Sequence, residues 1–230
     1  MTYITFEKVG FVWYNEYRFT NEEKRGAMMR KIKKILICAF CALMLSAFAF
    51  SASAASHTVV AGDTMWKIAV KYKVGTSEII TANPQIKNPN LIYPGQILNV
   101  PLIDSSVTSF ESEVVRLVND IRRQNGLSPL TQDWELSRVA RYKSQDMRDK
   151  GYFSHTSPTY GSPFQMIRAF GLSYRTAGEN IARGYSTPQA VVNGWMNSSG
   201  HRANILNASF TKIGVGYVAN GHYWTQMFIG

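Results

Sequence analysis

Cysteine is nearly absent. The 230-residue chain has two, Cys38 and Cys41, and both fall in a segment expected to be removed on export. A disulfide scaffold and a cysteine-ligated zinc site are therefore excluded from the rest of the chain. Acidic side chains are also few, 15 against 25 Lys plus Arg, for a formal net charge of +10. The excess is diffuse: +4 over residues 1–55 and +6 over residues 56–230, with no Lys/Arg run in the second part. Such a charge suits contact with an anionic polymer such as a cell wall, and it argues against nucleic acid as a partner. No G-x-S-x-G, H-E-x-x-H or phosphate-binding loop occurs, and no nucleophilic cysteine lies beyond residue 55. With 45% hydrophobic and 17% charged residues the composition is globular.

The first apolar run is too short to span a bilayer. Arg30-Lys31-Ile32-Lys33-Lys34 is followed by Ile35 to Phe50, 16 residues that are apolar apart from Ser46, against the ~20 that a spanning helix needs. Small residues follow, Ser51 to Ser56, with Ala52 and Ala54 in an Ala-x-Ala pattern. Positive, apolar, small is the order of a secretory signal peptide. It is expected over 28–55, with cleavage after Ala54 or Ala55 and no stable membrane span afterwards. Residues 1–27 do not fit a signal peptide and are expected to be a mis-assigned upstream extension, with translation starting at Met28 or Met29.

Two modules should follow. In 57–101, His57 to Val60 reads as a strand. Gly62-Asp63-Thr64 is a turn whose Asp or Thr caps a helix carrying Trp66, Ile68, Ala69 and Tyr72 on one stripe. Gly75 ends that helix. A second one runs from Thr76 or Ser77 to Asn83-Pro84, and Ile97 to Pro101 closes as a strand. Trp66, Ile68 and Ile97 are expected in the core. Residues 102–109 form a polar linker. In 110–230, Thr108 and Glu111 form a capping box before a helix that ends at Asn125-Gly126. Asp133, Ser162-Pro163 and Thr187-Pro188 start three more helices. Ala177 to Ala182, Ile213 to Val218 and Tyr223 to Phe228 read as strands. Trp195 and Trp224 are expected in the core, and His222 in a turn.

The residues of 57–101 resemble a LysM domain. The resemblance rests on Val60-Ala61-Gly62-Asp63-Thr64-Met65-Trp66-Lys67-Ile68-Ala69, Asn83-Pro84 and Ile92-Tyr93-Pro94-Gly95-Gln96. It implies a strand-helix-helix-strand module that binds peptidoglycan or another N-acetylglucosamine-containing glycan. The implied groove lies between Gly62, Asp63, Thr64 and Met65 on one loop and Asn90, Leu91, Ile92 and Tyr93 on the other. The second module is similar to bacterial members of the CAP superfamily, which takes its name from the cysteine-rich secretory, antigen 5 and pathogenesis-related 1 proteins. Five segments carry this: Gly151 to His155, Ala177 to Ile181, Trp195 to Arg202, Ile213 to Gly216 and Tyr223 to Gln226. The implied class is α+β, with an α-β-α sandwich for the CAP domain. The pairing of the two modules resembles secreted, sporulation-associated proteins of Gram-positive spore formers, and the expected location is the cell wall or spore surface.

His155, Glu179 and His201 lie on three separate segments, so only the fold can bring them together. Two imidazoles and a carboxylate are a competent set for a divalent metal such as zinc, or for acid-base catalysis. The CAP resemblance implies a second acidic residue three positions after Trp195, where this chain has Ser198. Three readings stay open. The chain docks on the wall and presents a ligand- or metal-binding cleft, it is a hydrolase of peptidoglycan or protein, or it is purely structural.

Overall fold

The computed structural model describes residues 54–230. The signal peptide, both cysteines and the upstream extension lie outside these residues, apart from Ala54 and Ala55 at the proposed cleavage point. The first module is β1 (Ala54–Thr58), α1 (Met65–Tyr72), α2 (Thr76–Thr81) and β2 (Ile97–Pro101). β1 and β2 pair antiparallel, from Ala54 opposite Pro101 to Thr58 opposite Ile97. The first strand thus begins and ends earlier than the sequence suggests. Cleavage after Ala55 would leave Ser56, His57 and Thr58 of the ladder in place.

Thr64, not Asp63, caps α1, its side chain accepting from the Lys67 N–H at 3.1 Å. Asp63 holds the turn before it. Its Oδ2 accepts from the Val60 N–H at 3.0 Å and from His57 Nε2 at 2.9 Å. Those bonds, the backbone one foremost, hold the Asp63 carboxyl below the usual range. α1 ends at Lys73, a left-handed residue (φ 55°) whose N–H bonds the Ala69 and Val70 carbonyls. Gly75 is the N-cap of α2 instead of the stop of α1. Buried Asn83 ties α2 to β2: its amide donates to Ile79 O and Asn99 O, and its Oδ1 accepts from the Asn99 N–H.

The core of this module contains Val59, Met65, Ile68, Ala69, Val74, Ile79, Leu98 and Val100. Two residues expected there are outside it. Trp66 is 56% exposed and Ile97 is 61% exposed. The helical stripe that buries Ile68 and Ala69 turns Trp66 outward. Ile97 belongs to the alternate, outward set of a strand buried on one face.

The second module comprises α3 (Ser105–Gln124), β3 (Thr131–Gln132), α4 (Trp134–Asp149), α5 (Pro163–Ala169), β4 (Ala177–Arg183), α6 (Pro188–Asn197), α7 (Ser199–Ile205), β5 (Lys212–Val218) and β6 (Tyr223–Ile229). The sheet order is β3-β5-β6-β4, antiparallel except for the short parallel pair of β3 with β5. Both faces are covered. Ile213, Val215, Tyr217, Trp224 and Phe228 pack with α3 and α6, while Met227 and Ile229 pack with α4 and α5. Double coverage explains why β6 is buried at every residue and lacks polar alternation. Trp195 and Trp224 are fully buried, as expected.

One helix start differs from the sequence reading. α3 begins at Ser105, capped by Asp104, whose side chain accepts from the Ser106 N–H at 2.7 Å. Thr108 therefore lies inside the helix. Glu111 is no capping residue but a fully buried carboxylate held by Arg141, which bonds both its oxygens, and by the Tyr217 N–H. The linker shrinks to Leu102–Asp104. The other three expected starts are present: Asp133 accepts from the Leu136 N–H, Ser162 and Gln165 form a capping box, and Thr187 accepts from the Ala190 N–H.

A polar clamp joins the modules. Arg138 of α4 donates Nε to Glu78 Oε1 at 2.6 Å and Nη2 to Glu78 Oε2 at 3.0 Å, and Tyr142 donates to Glu78 Oε1 at 2.9 Å. Burial opposes the Glu78 charge, but the Arg138, Ser77 and Tyr142 bonds outweigh it and lower the Glu78 pKa. Burial together with that carboxylate pushes the Tyr142 phenol up to about 12.

Candidate functional site

Two regions answer to the residues singled out above. The first is a groove of about 390 Å³ in the first module. Asp63, Thr64 and Met65 line one side, and Asn90, Leu91 and Ile92 the other. Gly62 and Tyr93 do not line it; Tyr93 is exposed in the adjoining turn, and its N–H bonds Gln96 Oε1. Met65 is itself buried, so its side chain serves the core more than the surface. Sequence reasoning assigned Trp66 to the core and missed Thr76, Ile80 and Pro89, all of which line the groove. Trp66, Ile80 and Leu91 are exposed apolar surface in one concave place. The available signal was α1's own stripe, because a tryptophan next to the buried Met65 position and two residues before Ile68 points away from them.

The second region surrounds Glu179. β4 places Glu179 and Asn180 in the middle of the sheet edge facing α7. His155 Nδ1 donates to Glu179 Oε1 at 2.7 Å, with the His155 side chain 53% exposed and that of Glu179 1% exposed. A buried carboxylate thus orients an accessible imidazole and fixes its tautomer, leaving Nε2 outward. Glu179 Oε2 is buried and has no hydrogen-bond partner. Gln226 Nε2, in the same polar layer, is also unpartnered.

The loop that carries His155 is built on α4. Buried Lys143 donates Nζ to Ser154 O at 2.7 Å and to His155 O at 2.8 Å. Burial pulls the Lys143 ammonium down, with Glu179 and Asp146 opposing. Asp146 accepts from Ser157 at 2.6 Å, from Tyr152 at 2.5 Å and from Thr159. Burial alone would raise the Asp146 carboxyl, but those three hydroxyls outweigh it and lower its pKa. These supports escaped sequence reasoning. Their signal was polar residues interrupting the apolar face of α4 between Ala140 and Met147.

His201 reaches the region from α7. Asn180 Nδ2 donates to His201 O at 3.1 Å and to Gln226 Oε1 at 3.0 Å, and Asn204 donates to Asn180 Oδ1 at 2.8 Å. Asn180 is thus a network residue. Ser198 sits at the junction of α6 and α7, capping the end of one and the start of the other. Among the described residues no group of three or more His, Cys, Asp or Glu side chains stands close enough to hold a metal ion. His155 and Glu179 are paired with each other, and His201 joins them through no hydrogen bond among the described residues, so no three-ligand group is assembled there. The arrangement instead turns His155 Nε2 outward as an acceptor, with Glu179 Oε2 buried behind it.

Burial pulls His201 below the ordinary histidine pKa, and the neighbouring His155 charge adds to it. A depressed folded-state value means that the unfolded chain binds the proton more readily. Its contribution to stability is therefore present above pH ~6.5 and lost as pH falls through the folded value. NMR titration should give a His201 midpoint below 6.5. His155→Ala should raise that midpoint, whereas an unmoved midpoint would place the two rings out of electrostatic reach.

Comparison with known proteins matches both modules. Residues 57–101 match the LysM domain and residues 115–228 the cysteine-rich secretory protein family, CAP. Over 126 residues the chain is 63% identical to Uncharacterized protein YkwD of Bacillus subtilis (strain 168), covering 55% of this chain and 49% of that protein. An extracellular protein containing a SCP domain from Bacillus anthracis str. Ames superposes with a TM-score of 0.52 at 35% identity, over 59% of this chain and 47% of that one. The first module is 43% identical over 51 residues to Secreted LysM effector ECP6 of Passalora fulva, 22% of each chain. The chain spans about half the length, or less, of the curated relatives it matches through its second module. With a strand-helix-helix-strand module that carries an open groove and a sheet covered on both faces, the chain contains a LysM domain over residues 57–101 followed by a CAP domain over residues 115–228.

Proposed function

We propose that this is a secreted protein of the cell wall or spore surface that docks on peptidoglycan, or on another N-acetylglucosamine-containing glycan, through the LysM groove and presents the His155–Glu179 cleft to a ligand. The observation that carries the reading is the groove itself, lined by the exposed Trp66 ring and Ile80 and by the turn from Pro89 to Ile92. Apolar edges pack on sugar faces, and turn amides bond acetamido groups. The diffuse positive charge favours encounter with an anionic wall. Among the described residues no helix is long and apolar enough to cross a membrane, so export rests on the signal segment at 28–55. The LysM relatives include a protein named as a secreted effector and one named as an endolysin.

Trp66→Ala should lower pull-down on insoluble peptidoglycan or chitin about tenfold, on the order of the ~1.4 kcal/mol that one aromatic contact supplies, with the fold unchanged because the ring is outside the core. Full retention would remove the groove from the reading. Binding that vanishes in 1 M salt would assign it to charge instead, because surface attraction is then screened within ~3 Å.

A second reading is favoured by Glu179. A buried carboxylate with one free oxygen behind an exposed imidazole is an acid-base pair, and it fits a hydrolase of peptidoglycan or protein. Release of soluble muropeptides that is lost in His155→Ala, at unchanged stability, would favour it over binding.

A further inference from the structure

A second cavity, also about 390 Å³, lies where the LysM and CAP domains meet. That volume suits a ligand of a few residues or one to two sugars. Its floor is the Glu111–Arg141 pair. Glu111 is fully buried, and both its oxygens are taken, by Arg141 Nε and Nη2 and by the Tyr217 N–H. The carboxylate is therefore satisfied inward. Arg141 Nη1 makes no bond to any described residue, so the guanidinium turns a spare donor edge to the cavity. The Lys73 side chain lines the same cavity, exposed and with its ammonium in no hydrogen bond or ion pair among the described residues, and so does the unpartnered Gln132 side-chain amide. Trp134 and Leu102 add apolar wall. The lining thus offers two cations and an amide to an acceptor, beside surface suited to small aliphatic groups.

We propose that this junction binds the carboxylate end of a short peptide attached to the glycan, with Arg141 and Lys73 on the carboxylate and Trp134 and Leu102 against its small side chains. The proposal rests on the glycan-docking reading for the attachment, and the spacing supports it. Asp63 to Trp66, at one end of α1, line the glycan groove, and Tyr72 and Lys73, at the other end, line the junction. An eight-residue helix is ~12 Å long. A stem of about four residues extends ~13 Å. One fragment can therefore occupy both places. A carboxylate suits the spare donor edge because N–H groups of a guanidinium bond it in plane with charge assistance. The apolar wall favours a peptide over a polyol phosphate.

The experiment compares a disaccharide–tetrapeptide, the same disaccharide without its peptide, and the free tetrapeptide, on the intact protein, by calorimetry. The peptide-bearing fragment should bind five- to tenfold tighter than the bare disaccharide. Lys73→Gln, at an exposed position, should remove most of that advantage and leave bare-disaccharide affinity unchanged, and Trp134→Ala should do the same if its melting curve stays cooperative. An equal affinity for the two sugars, or an advantage that survives Lys73→Gln, overturns the proposal. Competition by inorganic phosphate as effective as that by the tetrapeptide also overturns it, in favour of a general anion site. If the free tetrapeptide binds and is lost in Lys73→Gln while no disaccharide binds, the junction stands and glycan docking fails.

Discussion

Gly216→Ala should leave little folded protein. A Cβ built at Gly216 would stand 2.2 Å from Ala140 C and from Arg141 N, and 2.5 Å from Ala140 O. At Gly214 it would meet Leu136 C at 2.3 Å and Ser137 N at 2.4 Å. These are backbone atoms and cannot rotate aside. The two glycines are two residues apart on β5 and so share a face, the one on which α4 lies. An added methyl must push helix and sheet apart and open the packing of Leu136, Val139 and Met227 as well. Overpacking of flexible side chains costs ~1–3 kcal/mol, and rigid backbone should exceed that, against a total stability of ~5–15 kcal/mol. With ~2–4 °C per kcal/mol for a chain of this size, the melting point should fall by ~10 °C or more, if soluble protein is recovered at all. Gly200→Ala in α7 is the control. Nothing lies within 4 Å of its Cβ, and alanine is the better helix former, so that variant should be neutral or gain about 0.5–1 kcal/mol. A stable, cooperative Gly216→Ala protein would show that α4 is not seated on β5 as described.

Arg122→Met should cost ~3 kcal/mol. Arg122 is buried and has no carboxylate partner among the described residues. It donates Nε to Ser128 O at 2.9 Å, and Nη1 to Ile205 O at 2.7 Å and to Asn207 O at 2.9 Å, with Phe210 O farther away at 3.5 Å. One side chain thus gathers the end of α3, the end of α7 and the loop into β5. Burial pulls the guanidinium pKa down without displacing its charge from this ring of carbonyls. Methionine keeps the length and the apolar stem, so the loss isolates the hydrogen bonds, each worth ~1 kcal/mol or more when its acceptor is left dry. Arg122→Lys should recover only part of it, since one ammonium cannot reach carbonyls fanned around a planar fork. The urea midpoint should drop with the slope unchanged. A shift of less than ~1 kcal/mol would mean that water replaces the guanidinium at no cost.

Helix starts and the three long strands were legible in the sequence because each depends on a local signal. Asp133, Ser162-Pro163 and Thr187-Pro188 cap within four residues of themselves, and Tyr223 to Ile229 is a short stretch rich in aromatic and other strand-favouring residues. Thr108 and Glu111 mimicked such a signal. The spacing was right for a capping box, but the partner of Glu111 is Arg141, 30 residues away, and no local rule sees it. Trp66 was misread because hydrophobicity alone does not say which side of α1 faces the core. At the cleft, His155, Glu179 and His201 stood out as chemistry-bearing types, whereas Lys143 and Asp146, which hold the His155 loop, looked like ordinary charges of an amphipathic helix. The glycines of β5 read simply as part of a strand, and their reason for being glycine lies in the backbone of another element.

The Glu78 clamp would govern how the two domains share a polymer under the proposed function. The tether between β2 and α3 is only Leu102–Asp104, at most ~10 Å of chain, and Arg138 and Tyr142 fasten Glu78 across it. On the proposed function, a glycan strand held by the LysM domain would meet the CAP domain at a fixed offset and in one orientation, as a gauge block meets a jaw. It would then sample the strand at intervals set by its own width, without sweeping a volume around the anchor. Long flexible tethers gain reach by diluting their cargo. The short clamped tether gives up reach and would keep register with a strand held by the LysM domain.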